Sequence, residues 1–194
     1  MRGRRIRLIA ALGLCVCYET RAGVLEFHDK GAWINAVVSF TTIGFDGFPS
    51  GTIVTDQWVD LGVVFADGND TTGGFDPLTF PEDGWGLDGN GNIVLEFAEP
   101  MAWIASDFPG RLRIELYSDG KLFYTSGIFG IGGIGNFGGL ASDQLFDMAV
   151  LMDVPAGSQA EIDHLHFDPP IPAPGAIRVL AIALVRWPRR RGPN

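Results

Sequence analysis

The chain has 194 residues, 46% of them apolar and 11% aromatic, enough for one domain with a packed core and too apolar for wholesale disorder. Its formal net charge of -9 hides a division: of 14 basic residues, five lie within residues 1–22 and five within 171–194. Residues 23–170 keep only Lys30, Arg111, Arg113 and Lys121 against 22 acidic residues, a net -18 with histidine neutral; such a surface repels phosphate backbones and anionic lipid, which excludes nucleic-acid binding for the body, and it suits divalent cations.

The start reads as an export signal. "MRGRRIR" is a positively charged n-region, "LIAALGLCVCY" an apolar stretch of 11 residues, and "TRA" ends in a small residue, which predicts cleavage after Ala22. The pair Arg4-Arg5 raises a twin-arginine route, but the apolar residue and lysine expected behind it are missing. Leu14 occupies the position where lipid attachment at Cys15 would need Gly or Ala. Cys15 and Cys17 leave with the signal, so the mature chain has no thiol, disulfide or Cys-ligated metal.

Beyond the signal, "HDKGAWINAV" (28–37) is the one helical stretch, with Asp29 placed as N-cap and Ala32, Trp33, Ala36 and Val37 on one face. Short runs with period-two alternation come next at 37–45, 61–67, 92–98, 101–108, 111–117, 121–127, 145–154 and 160–168, separated by Gly, Asp, Asn and Pro. Eight such strands predict an all-β fold, an antiparallel β-sandwich of jelly-roll type with one short N-terminal helix. In "RLRIELYSDGKLFYTSG", Leu112, Ile114 and Leu116 face one way, Arg111, Arg113 and Glu115 the other, and Asp119-Gly120 supplies the turn of a hairpin. The glycine-rich stretches 68–91 and 127–139 read as loops.

The domain ends at the proline cluster 169–174, giving a signal peptide at 1–22, a β-sandwich domain at 23–168 and a tail at 169–194. Ala176 to Val185 is an apolar run of ten residues, interrupted by Arg178. As a short C-terminal helix it would cover about 15 Å, half of the roughly 30 Å hydrocarbon core, and would not span unaided. "IPAPG", the apolar run and "RWPRRR" together resemble a PEP-CTERM sorting signal, with Pro172, Ala173, Pro174 and Gly175 at the proline motif and Arg189, Arg190 and Arg191 at the basic end. The tail departs from the family pattern at Arg178 and at Trp187-Pro188. The opening "FHDKGAWINAVVSFTTIGFDGFPSGTIVTDQWVDLGVVF" and the ending "FGGLASDQLFDMAVLMDVPAGSQAEIDHLHFDP" resemble those of many such exported proteins. The resemblance implies anchoring in the inner membrane of a Gram-negative bacterium, arginines inside, then cleavage by an exosortase and delivery to the cell surface or exopolysaccharide matrix. Arginines on the cytoplasmic side also follow from the positive-inside rule. The competing reading is a basic amphipathic C-terminus lying on the domain.

Few residues carry chemistry. Gly130, Gly132 and Gly135 spell G-x-G-x-x-G, but "NFGGLASD" behind them cannot start the helix a dinucleotide site requires, so a loop or glycine-rich strand is expected. His164 and His166 share a strand face, as in some zinc sites, with His28 or a carboxylate as third ligand; solvent-facing histidines on an edge strand are the plainer expectation. Alternation turns Asp163 inward with Leu165 and Phe167, where a carboxylate needs hydrogen bonds or a cation. The stretch resembles the last strand of jelly-roll carbohydrate-binding domains, which implies a structural calcium at Asp163; Asp46 in "IGFDGF", on an expected early strand, is the candidate partner, and the alternative is Asp163 bonding backbone amides in a turn. Asp88, Asn90 and Asn92, with Glu99 at the twelfth position, have the spacing of a calcium loop, but Ile93 replaces the glycine an EF-hand needs. Trp85, with Asp83 and Asp88, could form a platform for a sugar ring or plug the end of the sandwich. There is no G-x-S-x-G, HExxH or Cys nucleophile, and carboxylate pairs among 22 acids discriminate nothing. The expectation is a non-enzymatic structural or adhesive matrix protein, with a carbohydrate-binding module, calcium-assisted, as the alternative and a glycosidase or lyase third.

Overall fold

The structure, a computed structural model, describes residues 23–66, 69–73, 84–89, 91–155 and 159–168. Ala22 and the signal before it, Asp83, Asn90, and the whole tail with Pro172–Gly175, the apolar run and Arg189–Arg191 lie outside the described residues.

The chain opens with β1 (Val24–Phe27) and α1 (Lys30–Ala36). Asp29 caps the helix as expected: its backbone is extended and its carboxylate accepts a hydrogen bond from the Ala32 amide at 2.7 Å. Trp33 and Val37 are buried, whereas Ala32 and Ala36 of the expected face are exposed. Seven residues make only two turns, so the packed stripe narrows to one i, i+4 pair.

Next come β2 (Thr41–Ile43), β3 (Ile53–Val54), a 3₁₀ turn at Val59–Leu61, β4 (Val63–Phe65), β5 (Asn69–Gly73) and β6 (Trp85–Asp88). They are followed by β7 (Ile93–Phe108), β8 (Leu112–Ser118), β9 (Lys121–Thr125), β10 (Asn136–Asp153), β11 (Glu161–Ile162) and β12 (His164–Phe167). All pairings are antiparallel and form two sheets. One has eight strands in the order β2-β12-β7-β10-β8-β9, with β1 on β10 and β4 on β7; the other has four, β11-β6-β5-β3. Among the described residues the fold is therefore all-β with one short helix.

Two expected strands, 92–98 and 101–108, are one strand, β7, running through Pro100. Proline has no N–H to give a ladder, and the pairing with β10 is irregular at that point, passing from Glu96↔Met148 to Met101↔Phe146. The strand expected at 145–154 begins at Asn136, because Gly138 and Gly139 join it. In the β8–β9 hairpin, Leu112, Ile114 and Leu116 are buried, and Asp119 (φ 52°) and Gly120 (φ 69°) form a turn with two left-handed residues. The strand expected at 160–168 is split at Asp163: Glu161 and Ile162 pair with β6 in the small sheet, and His164–Phe167 pair with β7 and β2 in the large one. Val54, Leu87 and Ile162 of the small sheet belong to the same apolar cluster as Leu95, Ile104 and Leu151 of the large sheet. Each fully buried Leu, Ile or Phe contributes about 1.5–3 kcal/mol.

Candidate functional site

The second apolar cluster lies under α1, where Trp33 and Val37 pack on Ala105 of β7 and Phe137 of β10. A polar chain runs through it. β12 lies between β2 and β7, so His166 is in register with Thr42 on one side and Ala105 on the other. Its Nδ1 lies 2.8 Å from Thr42 Oγ1, and its Nε2 lies 2.9 Å from Asp107 Oδ2. Lys30 Nζ, from the first turn of α1, donates to the same oxygen at 2.7 Å. Burial pushes the Asp107 carboxyl up, but hydrogen bonds from His166 and Lys30 outweigh it and hold the group below its ordinary value, so it is ionised at neutral pH. An ionised Asp107 can only accept, so His166 Nε2 donates in that bond, and Nδ1 pairs with the Thr42 hydroxyl. His166 is 2% exposed, with the rings of Trp33, Phe40 and Phe137 at centroid distances of 5.9, 5.7 and 6.4 Å. The expectation of a solvent-facing histidine is corrected: the edge strand β2 and the helix cover it.

Both Lys30 and His166 use Asp107 Oδ2; among the described residues nothing donates to Oδ1. Asp107 lines a cleft of about 550 Å³ between the start of α1 and the glycine-rich loop, together with His28, Lys30, Ile128, Ile131 and Asn136. That loop is held by hydrogen bonds. The Gly110 amide donates to Gly133 O at 2.6 Å and the Gly132 amide to Gly110 O at 3.2 Å. Asn136 Nδ2 donates to Gly110 O and Gly133 O at 3.1 and 3.2 Å. Gly130 (φ 76°) presses on Gly110: a Cβ there would lie 2.6 Å from Gly110 O. Strand β10 begins directly after Gly135, so the G-x-G-x-x-G spacing serves a tight backbone wall, not the helix N-terminus of a dinucleotide site. Ile131 is 90% exposed and Ile128 42%.

The other residues singled out by sequence are dispersed. Asp163 is buried at the crossing between the sheets; its amide donates to Asp107 O at 2.8 Å, and its Oδ1 lies 3.3 Å from His164 Nδ1. Asp46 is exposed and closes over Gly44, where a Cβ would meet Asp46 Oδ1 at 3.1 Å and His164 Nε2 at 3.6 Å. Asp46 and Asp163 are thus both neighbours of His164. His28 packs tilted against Phe129 with centroids 4.9 Å apart, whereas the rings of His164 and His166 are parallel at 6.2 Å. Trp85 and Asp88 end the same short strand at half-buried positions, and alternation puts Trp85 on the face of buried Leu87 and Asp88 on the other. Asp88 is in register with Glu161 on one side and Asp70 on the other. Burial, then Asp88 and Asp153, push the Glu161 carboxyl up. Asn92 is exposed, directly before the long strand β7. Among the described residues no three His, Cys, Asp or Glu side chains converge on a metal position, and no helix is long and apolar enough to cross a membrane.

Sequence reasoning missed Asp107, Lys30 and Asn136. Lys30 is 77 positions from Asp107, and only the pairing of β7 with β12 and the seating of Trp33 bring them together. Comparison with known proteins finds no family model, no curated protein and no solved structure that matches this chain.

Proposed function

We propose that the protein is a non-enzymatic β-sandwich of jelly-roll type, exported and delivered by its PEP-CTERM-like tail to the cell envelope or extracellular matrix, where it acts as a structural or adhesive component. The observation that carries this reading is the confinement of ten of 14 basic residues to the two ends, each beside an apolar run, with a body of net -18 between them. Signal peptidase would act after Ala22, and an exosortase-type enzyme near Pro172–Gly175, with the arginines 189–191 on the cytoplasmic side of a transient inner-membrane intermediate. The sandwich detail is supported by the shared core of the two sheets and by the crossing of the chain between them at Asp163. Fractionation of the host tests the reading: the full chain partitions to the envelope and matrix, and a chain truncated after Asp168 loses the membrane-held intermediate. Equal distribution of the two forms contradicts it.

The second reading, a carbohydrate-binding module of the exopolysaccharide, is favoured by the cleft at Asp107, whose size falls in the range of small-molecule sites. Trp85 with Asp83 and Asp88 is the other candidate surface, and loss of glycan-array binding on Trp85→Ala would select it. Calcium enters as a structural ion, with Asp163 and Asp46, or Asp88, Asn90 and Asn92, as ligands. A melting temperature unmoved by millimolar Ca²⁺ or by chelator removes it.

A further inference from the structure

The geometry points to the cleft between the start of α1 and the glycine-rich loop as a binding site for a neutral polyhydroxylated ring, a sugar unit held by Asp107 and Lys30 with its C–H face against Ile131. The inference rests on the carbohydrate-binding reading and names its site.

Asp107 reaches the cleft with one oxygen committed and one available. Oδ2 accepts from Lys30 Nζ at 2.7 Å and from His166 Nε2 at 2.9 Å, which fixes the carboxylate plane; Oδ1 receives nothing among the described residues. A fixed, ionised acceptor at the floor of a cleft selects a donor. The Lys30 ammonium decides which donor. An ammonium, guanidinium or metal ion would meet a charge already matched by Lys30 at salt-bridge distance, and an anion would meet Asp29 and Asp107. A hydroxyl meets neither penalty. Lys30 Nζ lies 2.7 Å from Asp107 Oδ2 in the same cleft, so a hydroxyl donating to Oδ1 presents its oxygen, or that of a vicinal hydroxyl, to a nearby ammonium.

The walls favour a ligand with an apolar face, and the carboxylate disfavours a wholly apolar one. Ile128 and Ile131 line the cleft at 42% and 90% exposure, large apolar side chains on a loop whose hydrogen bonds hold it in place. Covering them removes apolar surface from water, whereas covering Asp107 Oδ1 with hydrocarbon would strand a buried charge. A ring with hydroxyls on its edge and C–H groups on its face satisfies both. The backbone wall is preformed, since Asn136 bridges Gly110 and Gly133, which lowers the ordering cost of binding.

Saturation-transfer NMR with methyl glycosides of glucose, galactose and mannose tests this on the full chain. The expected result is transfer to ring protons of at least one glycoside, with a dissociation constant on the order of 1 mM. Asp107→Asn should weaken binding about tenfold and Ile131→Ser about threefold, while Trp85→Ala leaves it unchanged. If Asp107→Asn fails to fold, as judged by near-ultraviolet circular dichroism, Ile131→Ser still decides, because a side chain so exposed cannot unfold the core. Binding that ignores both cleft substitutions, or that is lost with Trp85→Ala, overturns the proposal and leaves the carbohydrate reading at another surface. Absence of transfer to all three glycosides also overturns it, and retention of the same preparation on an immobilised polysaccharide then reports whether the broader reading survives.

Discussion

Trp33 lies directly on the backbone of Gly139: a Cβ at that glycine would be 2.6 Å from Trp33 Cδ1 and 3.0 Å from its Cγ. The preceding residue repeats the arrangement on the opposite face, where a Cβ at Gly138 would be 2.6 Å from Phe129 Cγ. Strand β10 is thus gripped between an indole that seats the helix and a phenyl ring of the main core. Gly139→Ala must displace Trp33 and with it the cover of His166. Overpacking of this kind costs about 1–3 kcal/mol, so the midpoint of chemical unfolding should drop by that equivalent. Ile131→Ala, at an exposed position, should stay within about 0.5 kcal/mol.

Asn136 is the clamp of the glycine-rich loop, donating to Gly110 O and Gly133 O and accepting from the Ile131 amide at 3.4 Å. Asn136→Ala should lower stability by about 1–2 kcal/mol. Amide hydrogen exchange should speed up at Ile131 and Gly132 and remain slow in β7 and β8.

Acid stability depends on Lys30. Asp107 is held below its ordinary value, so it contributes stability above the unfolded carboxylate range, and that stability is lost as pH falls through the lowered folded value. Lys30→Met removes one of the two donors to Oδ2. The folded value then rises towards the ordinary one, and the midpoint of acid unfolding should move to higher pH. Circular dichroism across pH 2–5, about the carboxylate range, reads it.

Two other carboxyls work in the opposite sense. Burial pushes Asp168 up to about 6, against the lowering effect of the Ala102 and Trp103 amides, the first of which donates to its Oδ2 at 2.5 Å. Glu161 is also pushed up, by burial and then by Asp88 and Asp153. For a raised carboxyl the folded state binds the proton more tightly, so the favourable contribution is complete below the unfolded value and is lost as pH rises through the folded one. Stability should therefore increase from pH 7.5 towards about pH 5 before Asp107 reverses the trend. One pKa unit corresponds to about 1.4 kcal/mol, and Asp168 keeps part of its solvent contact, which discounts its share to on the order of 1 kcal/mol. Asp168→Asn keeps an acceptor for Ala102 and should flatten the slope between pH 7.5 and 5 in a melting-temperature series.

The local signals in the sequence read true where they were self-contained. The cap at Asp29, the alternation of Leu112, Ile114 and Leu116, and the Asp119-Gly120 turn each depend on neighbours within a few residues, and each is present. Features that depend on distant partners were not legible. Trp85–Asp88 is a strand inside a stretch that reads as loop, because its pairing with Asn69–Gly73 and Glu161–Ile162 supplies what its composition lacks. Gly138 and Gly139 look like loop residues until Phe129 and Trp33 are laid on them. His166 alternates as an edge residue should, and strand β2 beside it together with the helix packed over it makes it a core residue. Asp107 carries no signal of its own in "WIASDF"; its role follows from Lys30 and His166 alone.

Intact-mass spectrometry of the native protein from its host tests the central claim most directly, because both ends report at once. The account predicts a mature N-terminus at Gly23 and a C-terminus trimmed near Pro172–Gly175, leaving the acidic domain without either basic end. A single species carrying all 194 residues, recovered from the cytosol, would contradict export, sorting and the matrix role together.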